Sequence, residues 1–393
     1  MKTRLVSLMA VIAAIALALH PHARSQTGAD SRDLPAQLDA LCRTAVSKDD
    51  RASVTVGIVS GQSLMWSKSY GYADMEKKLA AAPDTVYRIG SITKQFTALM
   101  LLQLVHDGKV HFSDPVEKYF PEVNKVKGRY PGGPPITLIQ LATHTSGLAR
   151  EPDHTDKYLK GSVSDWQKVL IDALDETKYA FEPGTQFSYS NIGYAILGAA
   201  LGRAAGQPYT EYVQARIFKP LGMADTAFEP NDRIRSRIAR GYIISKDSMD
   251  WETADREHQG RGYKVPNGAI YTTVADLSKF LIFELGGGPE SVLDNMSLEQ
   301  NFKRVITAGA DLVKGYGLGF SLMRGHNDLV LLGHDGAVAG YQAYAFVNRK
   351  SKTGVIILRN ALGRDDKFDA DQLALGMFDK IAPASKSGAS EPR

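Results

Sequence analysis

The hydrophobic and polar positions of this chain fall into two periodicities, and the stretches over which each runs outline the fold. Near the N-terminus Leu38, Leu41 and Val46 recur at helical spacing. Two strand-like runs follow, 52–59 and 63–70, joined by the hairpin signal Ser60-Gly61-Gln62. After Gly90 the pattern turns helical again, with Ile92, Phe96, Leu99, Met100 and Leu104 leading up to Gly108. From about 111 to 225, proline and glycine punctuate several short helix patterns. Strand character returns after about 262, in 329–332, 342–347 and 354–358, and a last helix is expected from about Asp369 to Ile381. Strands at both ends with helices between predict an α/β (α+β) unit. Its antiparallel sheet is built from both termini and flanked by helices, and a mostly helical part is inserted. The α/β part is expected over about 35–110 and 226–382 and the helical part over about 111–225. The closing segment 383–393 reads as a disordered tail, and there is no internal repeat.

Ahead of this pattern stands a segment of another kind. Lys2 and Arg4 precede an apolar run from Leu5 to Leu19, and a polar stretch follows. That is the layout of a signal peptide over 1–25, with cleavage expected after Ala18, Ala23 or Ser25. The run is shorter than the roughly 20 residues that span a bilayer, so we expect export, to the periplasm or outside, without a stable membrane anchor. The leader also accounts for the charge. The 393 residues carry a net +4, but Lys2, Arg4 and Arg24 lie in the first 25, which hold no acid, leaving 44 basic against 43 acidic residues. A near-neutral mature chain gives no electrostatic case for nucleic acid. With 44% hydrophobic and 23% charged residues the composition is globular. The single cysteine, Cys42, excludes an internal disulfide, lies too far past the apolar run for a lipoprotein, and reads as an ordinary helix residue.

Three short segments are candidates for chemistry. Ser91-Ile92-Thr93-Lys94 is the chain's one Ser-x-x-Lys and opens the long helix. Positions i and i+3 share a helix face, so the Lys94 amine reaches the Ser91 hydroxyl, and the helix N-terminus favours developing negative charge. The same spacing also fits a serine N-cap beside an exposed lysine. Tyr189-Ser190-Asn191 follows the turn Pro183-Gly184. A tyrosine beside a lysine can have its pKa lowered and shuttle a proton; equally, Tyr189 fits a buried phenol satisfied locally, with Ser190 or Asn191 capping a helix. Gly333-His334-Asp335-Gly336-Ala337 lies between two strand-like runs, where glycines allow close approach of a substrate backbone. His334 reads there as a polar partner of the serine or as a satisfied histidine at a strand end. No Gly-x-Ser-x-Gly occurs, so the α/β-hydrolase elbow is absent.

In their order and separations these segments resemble the serine β-lactamase-like and penicillin-binding family. That family includes class C β-lactamases, D-alanyl-D-alanine carboxypeptidases, D-aminopeptidases and related carboxylesterases. The runs 87–96, 136–148, 220–223, 268–273 and 316–320 are similar too, so the likeness extends from about 35 to 382. The resemblance implies a β-lactamase/transpeptidase-like fold with the site between its sheet and helical parts. It implies Ser91 as nucleophile, Lys94 as its activator and Tyr189 as proton shuttle, with Asn191 as substrate ligand or brace for Lys94. The backbone N–H groups of Ser91 and Ala337 would form the oxyanion hole. His334, Asp335 and Gly336 would line the substrate, His334 standing where many relatives carry the Lys of Lys-Thr-Gly. No metal or organic cofactor is implied.

The chain departs from that pattern at Asp335, where relatives often place Thr or Ser against a substrate carboxylate. A carboxylate side chain directed into the cleft would repel such a substrate and favour an amine or a neutral group; on the other strand face it would not. The expectation is therefore a serine hydrolase acting on esters or small amides. The alternatives are a peptidoglycan D-peptidase or class C-like β-lactamase and, in another class, a non-catalytic binder of cell-wall peptides.

Overall fold

Strand alternation decides what each face of the sheet is buried against. The computed structural model describes residues 33–128, 132–256, 261–302, 306–307, 314–326 and 329–382, so the expected leader at 1–25 and tail at 383–393 lie outside the described residues. The chain enters through helix α1 (Leu34–Val46), then β1 (Val54–Ser60) and β2 (Ser63–Tyr70), hinged at Gly61 with φ +59°. Helix α2 (Thr93–His106) follows a tight turn at Gly90–Ile92. The middle of the chain contributes α3 (Leu138–Ala142), α4 (Trp166–Leu174) and α5 (Asn191–Ala205). Helices α6 (Val274–Ile282) and α7 (Asn295–Phe302) lead into the remaining strands of the large sheet. These are β3 (Ile306–Thr307), β4 (Lys314–Tyr316), β5 (Ser321–Arg324), β6 (Val330–Val338), β7 (Tyr341–Asn348) and β8 (Thr353–Arg359). Helix α8 (Ala370–Ile381) closes the described chain.

In space the sheet runs β2-β1-β8-β7-β6-β5-β4-β3, antiparallel throughout. Strands from the two ends of the chain meet one strand in from its edge, Val54 opposite Arg359 and Ser60 opposite Thr353. One face, with Val54, Val56, Ile58, Tyr344 and Phe346, packs on α1 and α8, and there Cys42 is a buried core residue. Burial pushes its thiol up to about 11, which makes it a poor nucleophile. The other face shares one continuous core with the helices, in which Ile356, Leu358 and Ala345 join Leu138, Leu170, Ile192 and Leu197. The sheet and the helical part are thus two layers on one core. Helix α2 lies in the middle of that core, buried on every face from Thr93 to Leu104, and its polar side chains find partners there. Thr97 Oγ1 donates to the Pro266 carbonyl at 2.5 Å, and Gln103 Nε2 donates to the Val292 carbonyl at 2.6 Å.

Gly333–Ala337, the segment between two strand-like runs, belongs to the nine-residue β6. The glycines there serve packing. A Cβ on Gly336 would stand 2.0 Å from the Ile89 carbonyl oxygen, and one on Gly90, whose φ is +49°, would stand 2.9 Å from the Ala337 backbone nitrogen. Two backbones therefore lie in direct contact where the nucleophile turn crosses β6, and only glycine fits both positions.

Candidate active site

The turn at Gly90–Ile92 presents Ser91 half-buried at the start of α2, and Lys94 follows on the helix's first turn. The reading of Ser91 as an N-cap beside an exposed lysine does not survive. Helix α2 has no side-chain cap, and Lys94 is completely buried. Its Nζ lies 3.1 Å from Ser91 Oγ and donates to Asn191 Oδ1 at 2.8 Å and to the Asn267 carbonyl at 3.1 Å. Burial holds Lys94 well below the usual lysine range, and Lys264 and Arg150 push the same way; Glu151 opposes them. A neutral amine with two hydrogens spent on acceptors turns its lone pair to the third neighbour, the Ser91 hydroxyl.

Asn191 is the first residue of α5. Ser190 is the cap, its Oγ accepting from the Gly193 N–H at 3.0 Å, so Asn191 is free to serve the site. Its Nδ2 donates to Glu151 Oε1 at 2.7 Å, and its own carbonyl accepts from Asn267 Nδ2 at 2.9 Å. Glu151 also accepts from Lys264 Nζ at 2.9 Å and from the Tyr263 hydroxyl. Burial pushes the Glu151 carboxyl up, but Lys264, Tyr263 and Asn191 together hold it below its ordinary value. Lys264 is itself lowered, by burial above all. This network fixes which way Asn191 points and hence which atom faces Lys94.

Tyr189 stands against the pair, its ring centroid 4.8 Å from Lys94 Nζ and its side chain hydrogen-bonded to Ser91. The expected lowering of its pKa is corrected here. Burial outweighs the Ser91 hydrogen bond and pushes Tyr189 up, and a lysine held toward its neutral form offers little positive charge to a phenolate. Tyr189 is therefore a neutral phenol. Behind it packs His144, at a centroid distance of 4.1 Å, with Tyr194 and Tyr316 also against the imidazole. His144 Nδ1 accepts from the Ser190 N–H at 3.0 Å, which places its proton on Nε2, and burial holds it well below the usual histidine range. It acts as an uncharged plate behind Tyr189.

The β6 residues divide by face. His334 is buried on the side of Tyr189, 6.2 Å between ring centroids, and its Nε2 pairs with the Tyr316 hydroxyl at 3.0 Å. Burial lowers its pKa, although Asp335 opposes the shift. Gly336 and Ala337 bring their backbone against Ile89–Ser91: the Cβ position of Gly336 is 3.2 Å from the Ser91 backbone nitrogen. Asp335 does not join this group. Alternation puts it on the face of its cross-strand neighbour Tyr344, with its side chain 70% exposed beside a cavity of about 390 Å³ that Asp366 and Asp371 also line. Its side chain therefore does not line the cleft directly, although its charge still acts on His334, Lys94 and Tyr189.

The structure thus brings Ser91, Lys94, Tyr189 and Asn191 into direct contact and sets His334, Gly336 and Ala337 alongside. Sequence reasoning missed Glu151, Lys264 and Asn267, which hold Asn191 and Lys94, and it missed Arg150, His144 and Tyr316 as parts of the site. His144, Tyr316 and the neighbours of Asn267 lay in or beside runs that carried the resemblance, whereas Glu151 and Lys264, more than a hundred residues apart, leave no spacing signal. Among the described residues no His/Cys/Asp/Glu cluster is placed to hold a metal, and no helix is long and apolar enough to cross a membrane.

Set against known proteins, residues 38–377 match the Beta-lactamase family. The protein flp of Staphylococcus aureus (strain MRSA252) is 28% identical over 342 residues, covering 84% of this chain; the chain spans only 64% of that relative's length. Among solved structures, the octameric penicillin-binding protein homologue from Pyrococcus abyssi is 25% identical, with TM-score 0.73 over 89% of this chain and 77% of that one. The D-amino acid amidase from Ochrobactrum anthropi SV3, complexed with D-phenylalanine, is similar in fold, with TM-score 0.74 at 23% identity over 89% of this chain and 99% of its own.

Proposed function

The chain belongs to the beta-lactamase family of serine hydrolases, and from that premise we propose an exported enzyme that forms an acyl-enzyme on Ser91 and acts on esters and small amides. The observation that carries this reading is the hydrogen-bond set of Lys94: two neighbours that only accept, and a third, Ser91 Oγ, at 3.1 Å. Neutral Lys94 takes the Ser91 proton as Oγ bonds to the substrate carbonyl carbon. The carbonyl oxygen becomes an oxyanion held by the N–H groups of Ser91 and Ala337, and such a donor is commonly worth about 3–4 kcal/mol. Tyr189 gives its hydroxyl proton to the leaving oxygen or nitrogen as the bond to the acyl carbon breaks, and recovers a proton from Lys94. Water then attacks the acyl carbon, its proton passing to the same groups, and Ser91 leaves with its hydroxyl restored. His334 and Tyr316 wall the cleft beside Tyr189, and Asn191 holds Lys94 in register.

Small amides enter the substrate range through the likeness to the D-amino acid amidase. A second reading, a peptidase acting on cell-wall D-peptides, is favoured by the likeness to the penicillin-binding homologue. Intact-mass spectrometry of the mature protein with a penicillin and with an activated ester, against Ser91→Ala, decides between them. An ester adduct that turns over and vanishes in the variant supports the hydrolase, and a persistent penicilloyl adduct supports the peptidase. If neither compound gives a Ser91-dependent adduct, both readings fall.

A further inference from the structure

We propose that Arg88 is the cationic half of a buried site for a monovalent, weakly hydrated anion of the halide class, set beside the strand that leads into the nucleophile turn. Arg88 is 1% exposed, and its Nε, Nη1 and Nη2 are all sealed from solvent without a hydrogen-bond partner among the described residues. Lys94 and Glu284 meet burial by moving toward their neutral forms. A guanidinium cannot, because it keeps its proton at every pH at which a protein stays folded. A charge that can neither be lost nor reach water needs a counter-charge beside it.

Elsewhere the fold shows how it treats such a group. Arg359 is equally buried, its guanidinium carbon 4.7 Å from the centroid of the Phe368 ring, and Asp366 accepts from its Nε at 3.0 Å and its Nη2 at 2.8 Å. Arg88 has the aromatic half of that arrangement, 5.0 Å from the centroid of Tyr271, and lacks the carboxylate half. Asp255, which acts on Tyr341 together with Arg88, is exposed and makes no pair with it. The place itself is firmly held. Arg88 lies in register opposite Tyr271, and the next N–H, of Ile89, donates to the Ile270 carbonyl at 3.1 Å. One unbalanced positive charge calls for one negative charge, so a divalent oxyanion would overshoot. Tyr271 packs with Val86, Ala227 and Ile234, neighbours that offer nothing to the hydration shell of a bulky ion, and a halide loses least on leaving water. Occupancy then steadies the strand that feeds Ser91 and ties the stability of the nucleophile turn to halide concentration.

The test reads occupancy first. Crystals of the mature protein are soaked in sodium bromide, and anomalous diffraction is collected at the bromine edge. A bromide peak within hydrogen-bond distance of the Arg88 guanidinium is expected. In solution, thermal unfolding is followed in sodium chloride, bromide and gluconate at equal ionic strength for the wild type and Arg88→Met, gluconate being too large to enter. From gluconate to halide the wild-type midpoint should rise by about 2 °C or more relative to the same change in Arg88→Met, and the rise should saturate as one site fills. Comparison with the variant removes general salt effects on the fold. Should Arg88→Met fail to fold, the bromide map of the wild type decides alone. Water or Asp255 against the guanidinium with no bromide peak, or a halide effect of equal size in Arg88→Met, overturns the proposal.

Discussion

Lys94 and Gln95 are adjacent on α2 and both buried, yet they head two very different polar pockets. On the Lys94 side the amine is held by Ser91, Asn191 and Asn267, with Glu151 one bond further out, and His144 Nε2, behind Tyr189, lacks a partner among the described residues. On the Gln95 side, Nε2 donates to Glu284 Oε1 at 2.8 Å, but Gln95 Oε1, Glu284 Oε2 and Asn301 Oδ1 have no partner among the described residues. They surround a void of about 20 Å³. Burial drives both ionisable groups toward neutrality, Lys94 downward and Glu284 up to about 8. Desolvation alone therefore does not make a catalytic centre. The neutral form of Lys94 is aimed at a reactive hydroxyl by fixed acceptors, whereas the neutral form of Glu284 merely lowers the cost of an incompletely paired pocket.

The comparison breaks most visibly at Lys94. Lys94→Arg keeps a cation in a pocket that works by losing one, so acylation by a chromogenic ester should slow by about a thousandfold or more; a rate within tenfold of wild type would contradict the role given to the neutral amine. Glu151→Gln sharpens the electrostatic half. Removing the anion that favours the Lys94 ammonium lowers its pKa further, so the acidic limb of the kcat/KM profile should move to lower pH, and a shift the other way would refute the assignment. Glu284 predicts a change in stability. Its carboxyl is raised in the folded state, so its contribution is fully present below the unfolded value near 4.5 and is lost as pH climbs through about 8. Urea melts should show wild-type stability declining by a few kcal/mol across that window, with a flatter profile for Glu284→Gln, whose amide brings a donor to the orphaned oxygens. Equal slopes would mean Glu284 does not titrate there. The smallest effect belongs to Asp335→Thr. An exposed carboxylate on the far strand face is screened, so the ratio of penicillin to ester acylation should change by less than about threefold.

How much of this was written in the sequence follows from distance along the chain. Ser91 and Lys94 are three residues apart, and helix geometry alone puts them in contact; the Tyr-x-Asn segment could be placed beside them only through the resemblance. The sheet was readable wherever apolar runs were unbroken, as in 54–60 and 353–359. The glycines of Gly333–Ala337 read as room for a substrate backbone, whereas in the fold it is the backbone of Ile89–Ser91 that crosses there. The face occupied by Asp335 depended on knowing that β6 continues through it. The partners of Asn191 were invisible because Glu151 and Lys264 meet only after folding, and the direction of the Tyr189 shift needed its burial.

The pairing of β1 with β8 also governs when the molecule can exist at all. These sheet neighbours are separated by about 300 residues, a contact of long sequence separation that slows folding. A nascent chain that has delivered β1 and β2 holds only a hairpin, one edge of which waits for strands not yet delivered. Until Thr353–Arg359 arrives, β1 and β2 have no strand linking them to β7 and β6, so Ala337, though already delivered, is not yet fixed opposite Ser91. Activity therefore switches on at the end of delivery, all at once, and any C-terminal truncation that removes β8 is expected to yield an inactive, aggregation-prone chain rather than a weakened enzyme.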